Sequence, residues 1–253
     1  LAFYNPETKA NARKQTGSFY TPREIVDYMV DESIFAYLLE STRSLYTSQN
    51  KIDFEEKLRL LISYSSTQNP FDANQTNVLI KAIDLLKILD PASGSGAFPM
   101  GILHKLVFIL RKIDPQNKLW FENIINRLPD YTKAEMRKKL ENENWDYLRK
   151  LGIIQQSIYG VDFQPIAIQI AKLRFFISLL VDQTTQNDAK NNFGLLPLPN
   201  LDFKLICANT LISVEKEEAN EFQFEDKFLT KFVRLTSIYF NASEQQEKQV
   251  IRE

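Results

Sequence analysis

Apolar residues recur along the chain in two rhythms, one spaced as on a helix face and one packed into short continuous runs. Residues 1–20 are polar and read as irregular. Thr21-Pro22-Arg23-Glu24 reads as a helix start: Thr21 can cap, Pro22 suits the first helical position and Glu24 completes a capping box. Ile25, Met29, Phe35 and Leu38-Leu39 then form a stripe to about Glu40. Residues 41–82 read as two more helices around a Ser/Asn/Pro loop at 65–75. Leu85 to Leu89 is a short apolar run ending at Asp90-Pro91. Its length suits a buried strand, although periodicity alone leaves a helix open. Phe98 to Lys112 is the next helical pattern. Residues 114–156 are charged and helical, with a second capping box at Thr132–Glu135. Ser157 to Val161 is a second strand, ending at Asp162, and Pro165 to Asp182 is a strongly apolar helix. After a polar loop, Phe203 to Cys207 is a third strand, ending at Ala208-Asn209. The tail is acidic from 215 and reads as two helices near 223–238 and 243–253.

One unit therefore recurs: strand, Asp90, glycine loop, helix; strand, Asp162, helix; strand, Asn209. Alternating strands and helices with polar residues at each strand's carboxyl end predict a doubly wound α/β sheet. In such sheets ligands bind outside those carboxyl ends.

Composition narrows the possibilities. With 253 residues, 44% hydrophobic and 25% charged, the chain suits one domain with a sizeable core, or one with an appendage. The single cysteine, Cys207, excludes an internal disulfide framework, and its place on a buried strand marks it as packing. The single histidine, His104, excludes a multi-His metal centre and reads as a helix-face residue rather than a base. A formal charge of −1 excludes a basic nucleic-acid module by composition. The longest apolar run, Ile166 to Val181, contains Lys172 and Arg174, so no membrane span is expected and the cytoplasm is the expected compartment. The chain starts at Leu1 without a methionine, which suggests a piece of something longer.

The glycines carry the chemical signal. There are seven, and Gly94, Gly96 and Gly101 fall within eight residues. Such a cluster points to a left-handed turn or to close approach of a ligand, against the plainer reading of a helix start packed on a strand. The loop reads Asp90-Pro-Ala-Ser-Gly94-Ser-Gly96-Ala-Phe98. It lacks the Lys-Ser/Thr of a phosphate-cradling loop, and Pro99 fills the third glycine slot of a dinucleotide fingerprint. Asp90 stands where a pyrophosphate would sit. Two like charges about 4 Å apart cost on the order of 4 kcal/mol at an effective dielectric of 20. S-adenosylmethionine, with a sulfonium and an ammonium, poses no such conflict. Asp162 then suits ribose hydroxyls and Asn209 an adenine edge. Asp90 and Asp162 lie much farther apart in sequence than the roughly 20 residues of a compact unit, so 114–156 reads as an insertion. Each residue also has a plainer role: Asp90 capping its loop, Asp162 capping the helix at Pro165, Asn209 closing a turn.

At this point the sequence resembles the N6-adenine-specific DNA methyltransferases, in particular the methyltransferase part of type IIG restriction–modification enzymes and related phage-defence systems. Four segments carry the likeness: Gly17-Ser-Phe-Tyr-Thr-Pro22; Leu89-Asp-Pro-Ala-Ser-Gly-Ser-Gly-Ala-Phe98; Ile158-Tyr-Gly-Val-Asp-Phe-Gln-Pro165, running on through Ala171-Lys-Leu-Arg174; and Leu198 to Lys204 with Cys207-Ala-Asn-Thr-Leu211. The resemblance implies a partial Rossmann-like class I S-adenosylmethionine-dependent methyltransferase fold, with a helical N-terminal segment and helical insertions. It implies three parts: 1–84 with the methionine-side motif, 85–212 as the cofactor-binding α/β core, and 213–253 as a helical tail. Tyr20 and Thr21 would lie by the methionine carboxylate, and Asp90 with the backbone from Ala92 through Gly94 to Gly96 would hold the methionine portion. Asp162 would bind the ribose, Phe163 would pack on the adenine face, and Asn209 with the main chain of Thr210 and Leu211 would read the adenine edge. Phe163 and Phe98 read equally well as core.

The sequence departs from the family in one respect. The family's Asn/Asp-Pro-Pro-Tyr/Phe motif, which holds a flipped-out base, is absent, and no Pro-Pro pair occurs; Asn69-Pro70-Phe71 is a poor imitation ahead of the glycine loop. The expectation is a chain that ends before the fourth strand, holds the cofactor half of the site and has no catalytic residue. It would meet double-stranded DNA through parts missing from this chain and would methylate nothing by itself. An open first-strand edge would permit a dimer. A non-catalytic cofactor-binding scaffold, a methyltransferase acting on RNA or protein, and a nucleotide-dependent dehydrogenase are the competing readings.

Overall fold

The structure, a computed structural model, describes residues 21–126, 144–185, 187–196 and 198–212, together with Tyr4–Asn5, Ala10–Asn11 and a few isolated positions. Two-residue strands β1 (Tyr4–Asn5) and β2 (Ala10–Asn11) pair antiparallel, where the polar sequence predicted irregular chain. Helices α1 (Arg23–Ser41), α2 (Lys51–Ile62) and α3 (Ala73–Leu85) follow. The core unit is then β3 (Ile88–Asp90), α4 (Ala97–Ile113), α5 (Lys118–Asn126), α6 (Trp145–Gln156), β4 (Ile158–Asp162), α7 (Pro165–Leu180) and β5 (Leu205–Cys207). The capping box expected at Thr132–Glu135 and the two tail helices lie outside the described residues.

The three long-range strands form one parallel sheet in the order β3-β4-β5. Ile88 stands opposite Ile158, and Gly160 opposite Leu205. Period-two geometry puts Ile158, Gly160 and Leu205 on one face, where all are buried against the helices. Leu89 and Ile206 point the other way and are 62% and 42% exposed. The fold is thus mixed α/β, mainly helical, with a small parallel sheet. The described residues cover one face of that sheet, rather than winding helices onto both. Among them, no helix is long and apolar enough to cross a membrane.

Three local expectations are corrected. Thr21 does not cap α1: Pro22 is the boundary residue, in extended backbone, and its carbonyl accepts from Ile25 and Val26 at 3.1 Å each. The buried stripe of α1 is Val26, Val30, Ile34 and Leu38, one position on from Ile25 and Met29, which are each 48% exposed. The partner helix sets this phase. A side chain at Gly101 of α4 would stand 2.9 Å from Val26 and 3.2 Å from Val30, so that glycine lets the two helices touch. The first sheet strand also starts three residues later than the apolar run, because Ile83 and Leu86 complete the buried face of α3 while Leu85 is 74% exposed.

The capping box that does form is Asp72–Gln75 at the start of α3. Asn69 accepts from the Phe71 amide at 3.1 Å, and Phe71 packs on Phe54. Asn69-Pro70-Phe71 is therefore the turn that leads into a capped helix.

Candidate functional site

Asp90 and Asp162 end β3 and β4, and with Asn209, two residues past the end of β5, they gather at the carboxyl edge of the sheet, beside the loop that joins β3 to α4. That loop is held at several points. Ser93 donates its amide to the Val161 carbonyl at 2.9 Å, and Gly96 donates to Ser93 at 2.8 Å. Arg174 of α7 donates to the Ser95 carbonyl at 2.9 Å. Gly94 and Gly96 have φ of +52° and +82°, a region that side chains disfavour. The two differ in surroundings. A side chain at Gly96 would meet Ala171 of α7 at 3.1 Å, whereas one at Gly94 would meet nothing within 4 Å. Gly96 is required by helix packing, and Gly94 faces open space.

Asp90 sits at the root of this loop. One carboxylate oxygen accepts from the Ala92 amide at 3.1 Å; the other is buried without a hydrogen-bond partner among the described residues. Burial pushes the Asp90 carboxyl above its ordinary range, the Ala92 N–H opposes this, and the neighbouring Asp162 charge adds to it. Asp162 is better served: one oxygen accepts from Gly94 N–H at 2.8 Å and the other from Gln164 N–H at 2.9 Å. Its carboxylate thus ties the glycine loop to β4, a role the sequence reading missed. It keeps acceptor capacity, because each oxygen carries two lone pairs.

Asn209 is exposed, and its side-chain oxygen accepts from Leu211 N–H at 3.0 Å, so it does close a turn. Thr210 Oγ1 donates to the Pro91 carbonyl at 3.0 Å and ties this turn to the glycine loop. Phe163 is 64% exposed at the crest and is not core, whereas Phe98 is partly buried and packs on the core. Cys207 is exposed, because β5 ends at the open crest; the expectation of a packed thiol is corrected. Ala92 is exposed on the loop, and His104 is exposed on α4. Thr21 is half-buried at the start of α1, and Tyr20 lies outside the described residues.

The arrangement is a shallow crest with two carboxylates, one of them under-satisfied, a left-handed glycine facing open space, and an exposed aromatic ring. Such a surface favours a cation bearing a flat apolar group. A cavity of about 430 Å³ lies elsewhere, lined by Arg111, Asn144, Trp145, Asp146 and Arg149. There Asp146 already pairs with both arginines, so its charges are matched.

Over 247 residues the chain is 27% identical to a protein of Methanocaldococcus jannaschii named "Putative type II restriction enzyme and methyltransferase". The match covers 95% of this chain and 18% of that protein's length. No family model matches the chain, and no solved structure does.

Proposed function

We propose that this chain is the S-adenosylmethionine-binding portion of a restriction–modification methyltransferase that acts on the adenine amino group in DNA. The relative's name supports the coarser part, a restriction–modification methyltransferase-like protein. The crest geometry supports the choice of cofactor. The observation that carries the reading is the buried, unpartnered oxygen of Asp90, beside a second acid and a loop that faces open space at Gly94. A cationic ligand would satisfy that oxygen, whereas a diphosphate would be repelled by both carboxylates.

In this reading Asp90 and the Ala92–Gly96 backbone hold the methionine end, with Thr21 and Tyr20 from the segment ahead of α1. Asp162 offers its remaining lone pairs to the ribose while it fixes the loop. Phe163 supplies an exposed ring for the adenine, and the Asn209–Leu211 turn presents polar edges beside it. When bound, the cofactor supplies an electrophilic methyl group on a cationic sulfur. The chain's own residues position it and match its charge, and none is assigned proton chemistry. We assign 1–84, 85–212 and 213–253 as helical lead, cofactor-binding core of partial Rossmann-like type, and tail. DNA contact and the base-holding residues belong to other parts of the intact protein. The absence of any Pro-Pro pair favours one second reading, a non-catalytic module that binds the same cofactor.

Calorimetric titration with S-adenosylhomocysteine and, separately, with NAD tests the cofactor. Binding of the former alone is expected. Binding of NAD alone would overturn the reading.

A further inference from the structure

The glycine loop is shaped by a part of the chain far from it in sequence. Val161 and Asp162 of β4 accept from the Ser93 and Gly94 amides at 2.9 and 2.8 Å. Arg174 of α7 donates to the Ser95 carbonyl at 2.9 Å. Ala171, three positions before Arg174 and on the same helix face, is the residue that closes on Gly96.

These contacts divide the loop's amides into spent and free. Gly94 N–H is spent on Asp162. The Ser95–Gly96 peptide is pinned at both ends, its carbonyl by Arg174 and its N–H by the Ser93 carbonyl at 2.8 Å. The Ser95 amide lies between these two pinned groups. With the Ala97 amide it has no acceptor among the described residues. Ala97 opens the 17-residue α4, so its N–H belongs to the unsatisfied first turn, where the helix dipole favours an anion.

Arg174 differs from its neighbour Lys172, which is paired with Asp202 at 2.7 Å. Among the described residues no carboxylate pairs with Arg174. A half-buried cation therefore stands beside the positive end of a helix without an acid to offset it. An anion at the loop would relieve both.

We propose that Arg174 is a positioning residue for the amino-acid end of the ligand. By holding the Ser95 carbonyl it fixes the segment that carries the free Ser95 and Ala97 amides, and its charge favours the carboxylate they would meet. This rests on the cofactor reading and adds to it a residue that acts through the loop.

The test uses two ligands. S-adenosylhomocysteine carries the amino-acid end; 5′-methylthioadenosine keeps the adenine, ribose and sulfur and lacks that end. In calorimetry on the 253-residue chain, Arg174→Met should weaken the first by at least about tenfold and leave the second unchanged. Arg174→Lys, which keeps a charged donor, should recover most of the loss. Unchanged affinity for S-adenosylhomocysteine in Arg174→Met overturns the proposal. So does an equal loss for both ligands, which would mark a general role in the fold. If the wild-type chain binds neither ligand, the cofactor reading fails by itself, and amide hydrogen exchange decides the loop role. Faster exchange at Gly94 and Gly96 in Arg174→Met supports that role, and equal exchange overturns it.

Discussion

The helical flank and the sheet crest both bury charge, and they treat it in opposite ways. On the flank the buried lysines among the described residues are all hydrogen-bonded. Lys112 donates to the Leu60, Leu61 and Ser63 carbonyls at 3.1, 2.7 and 2.8 Å, closing the carboxyl end of α2. Lys105, 1% exposed, donates to Ile62 O at 3.1 Å and pairs with Asp31 at 2.7 Å. Lys150 donates to Ser178 O at 2.8 Å and pairs with Asp182 at 2.7 Å. At the crest Asp90 keeps a buried oxygen that meets no hydrogen-bond partner among the described residues. Charges that hold the fold are paired within it. A charge left unpaired raises the energy of the folded chain, and in the proposed reading it is where a cationic ligand would complete the set.

The largest effect should come from breaking the matched set. Lys112→Ala leaves three carbonyls at the end of α2 without their donor. About 3 kcal/mol of stability should be lost in urea titration. A loss below about 0.5 kcal/mol would show that water replaces the amine freely. Gly96→Ala comes next, at about 2 kcal/mol, because it combines a left-handed backbone with a 3.1 Å approach to Ala171. Gly94→Ala should cost less, since it shares the backbone strain but not the contact.

Lys204 tests the pairing rule at its weakest point. Its amine donates to Gln155 O at 2.6 Å and lies over the Tyr159 ring, yet burial and the Lys87 charge lower its pKa to about 7. Above pH 7 the folded chain therefore binds fewer protons here than the unfolded chain, whose lysine titrates at its ordinary value near 10.5. Stability should rise with pH in that window, by about 1.5 kcal/mol from pH 7 to 8.5. Lys204→Met should remove this contribution to the slope. An unchanged slope in the variant would show that the amine stays charged when folded.

Much of this frame is legible in the sequence, because strands that end on or just before Asp90, Asp162 and Asn209 write their polarity change directly into the residue order. The glycine loop is legible for the same reason. The phase of α1 is not, since Ile25, Val26, Met29 and Val30 are all apolar and only the notch at Gly101 selects between faces. The Thr21 cap fails because an extended Pro22 delays the helix by one residue. Nor does the order of residues show that Asp162 serves the loop, or that lysines of α4 close the end of α2: both are contacts between distant segments. The M. jannaschii relative supports the chain's likeness to a restriction–modification methyltransferase at that coarser level.

The comparison turns on Asp90→Asn, read in two ways on one sample. The amide keeps an acceptor for Ala92 N–H but removes the charge. Because burial raises the Asp90 pKa, the ionised form weakens the folded chain at neutral pH, and the variant should be the more stable of the two. It should also bind S-adenosylhomocysteine, whose ammonium remains, roughly ten- to a hundredfold more weakly. A gain in melting temperature together with a loss of affinity is the predicted result; unchanged affinity would contradict the account.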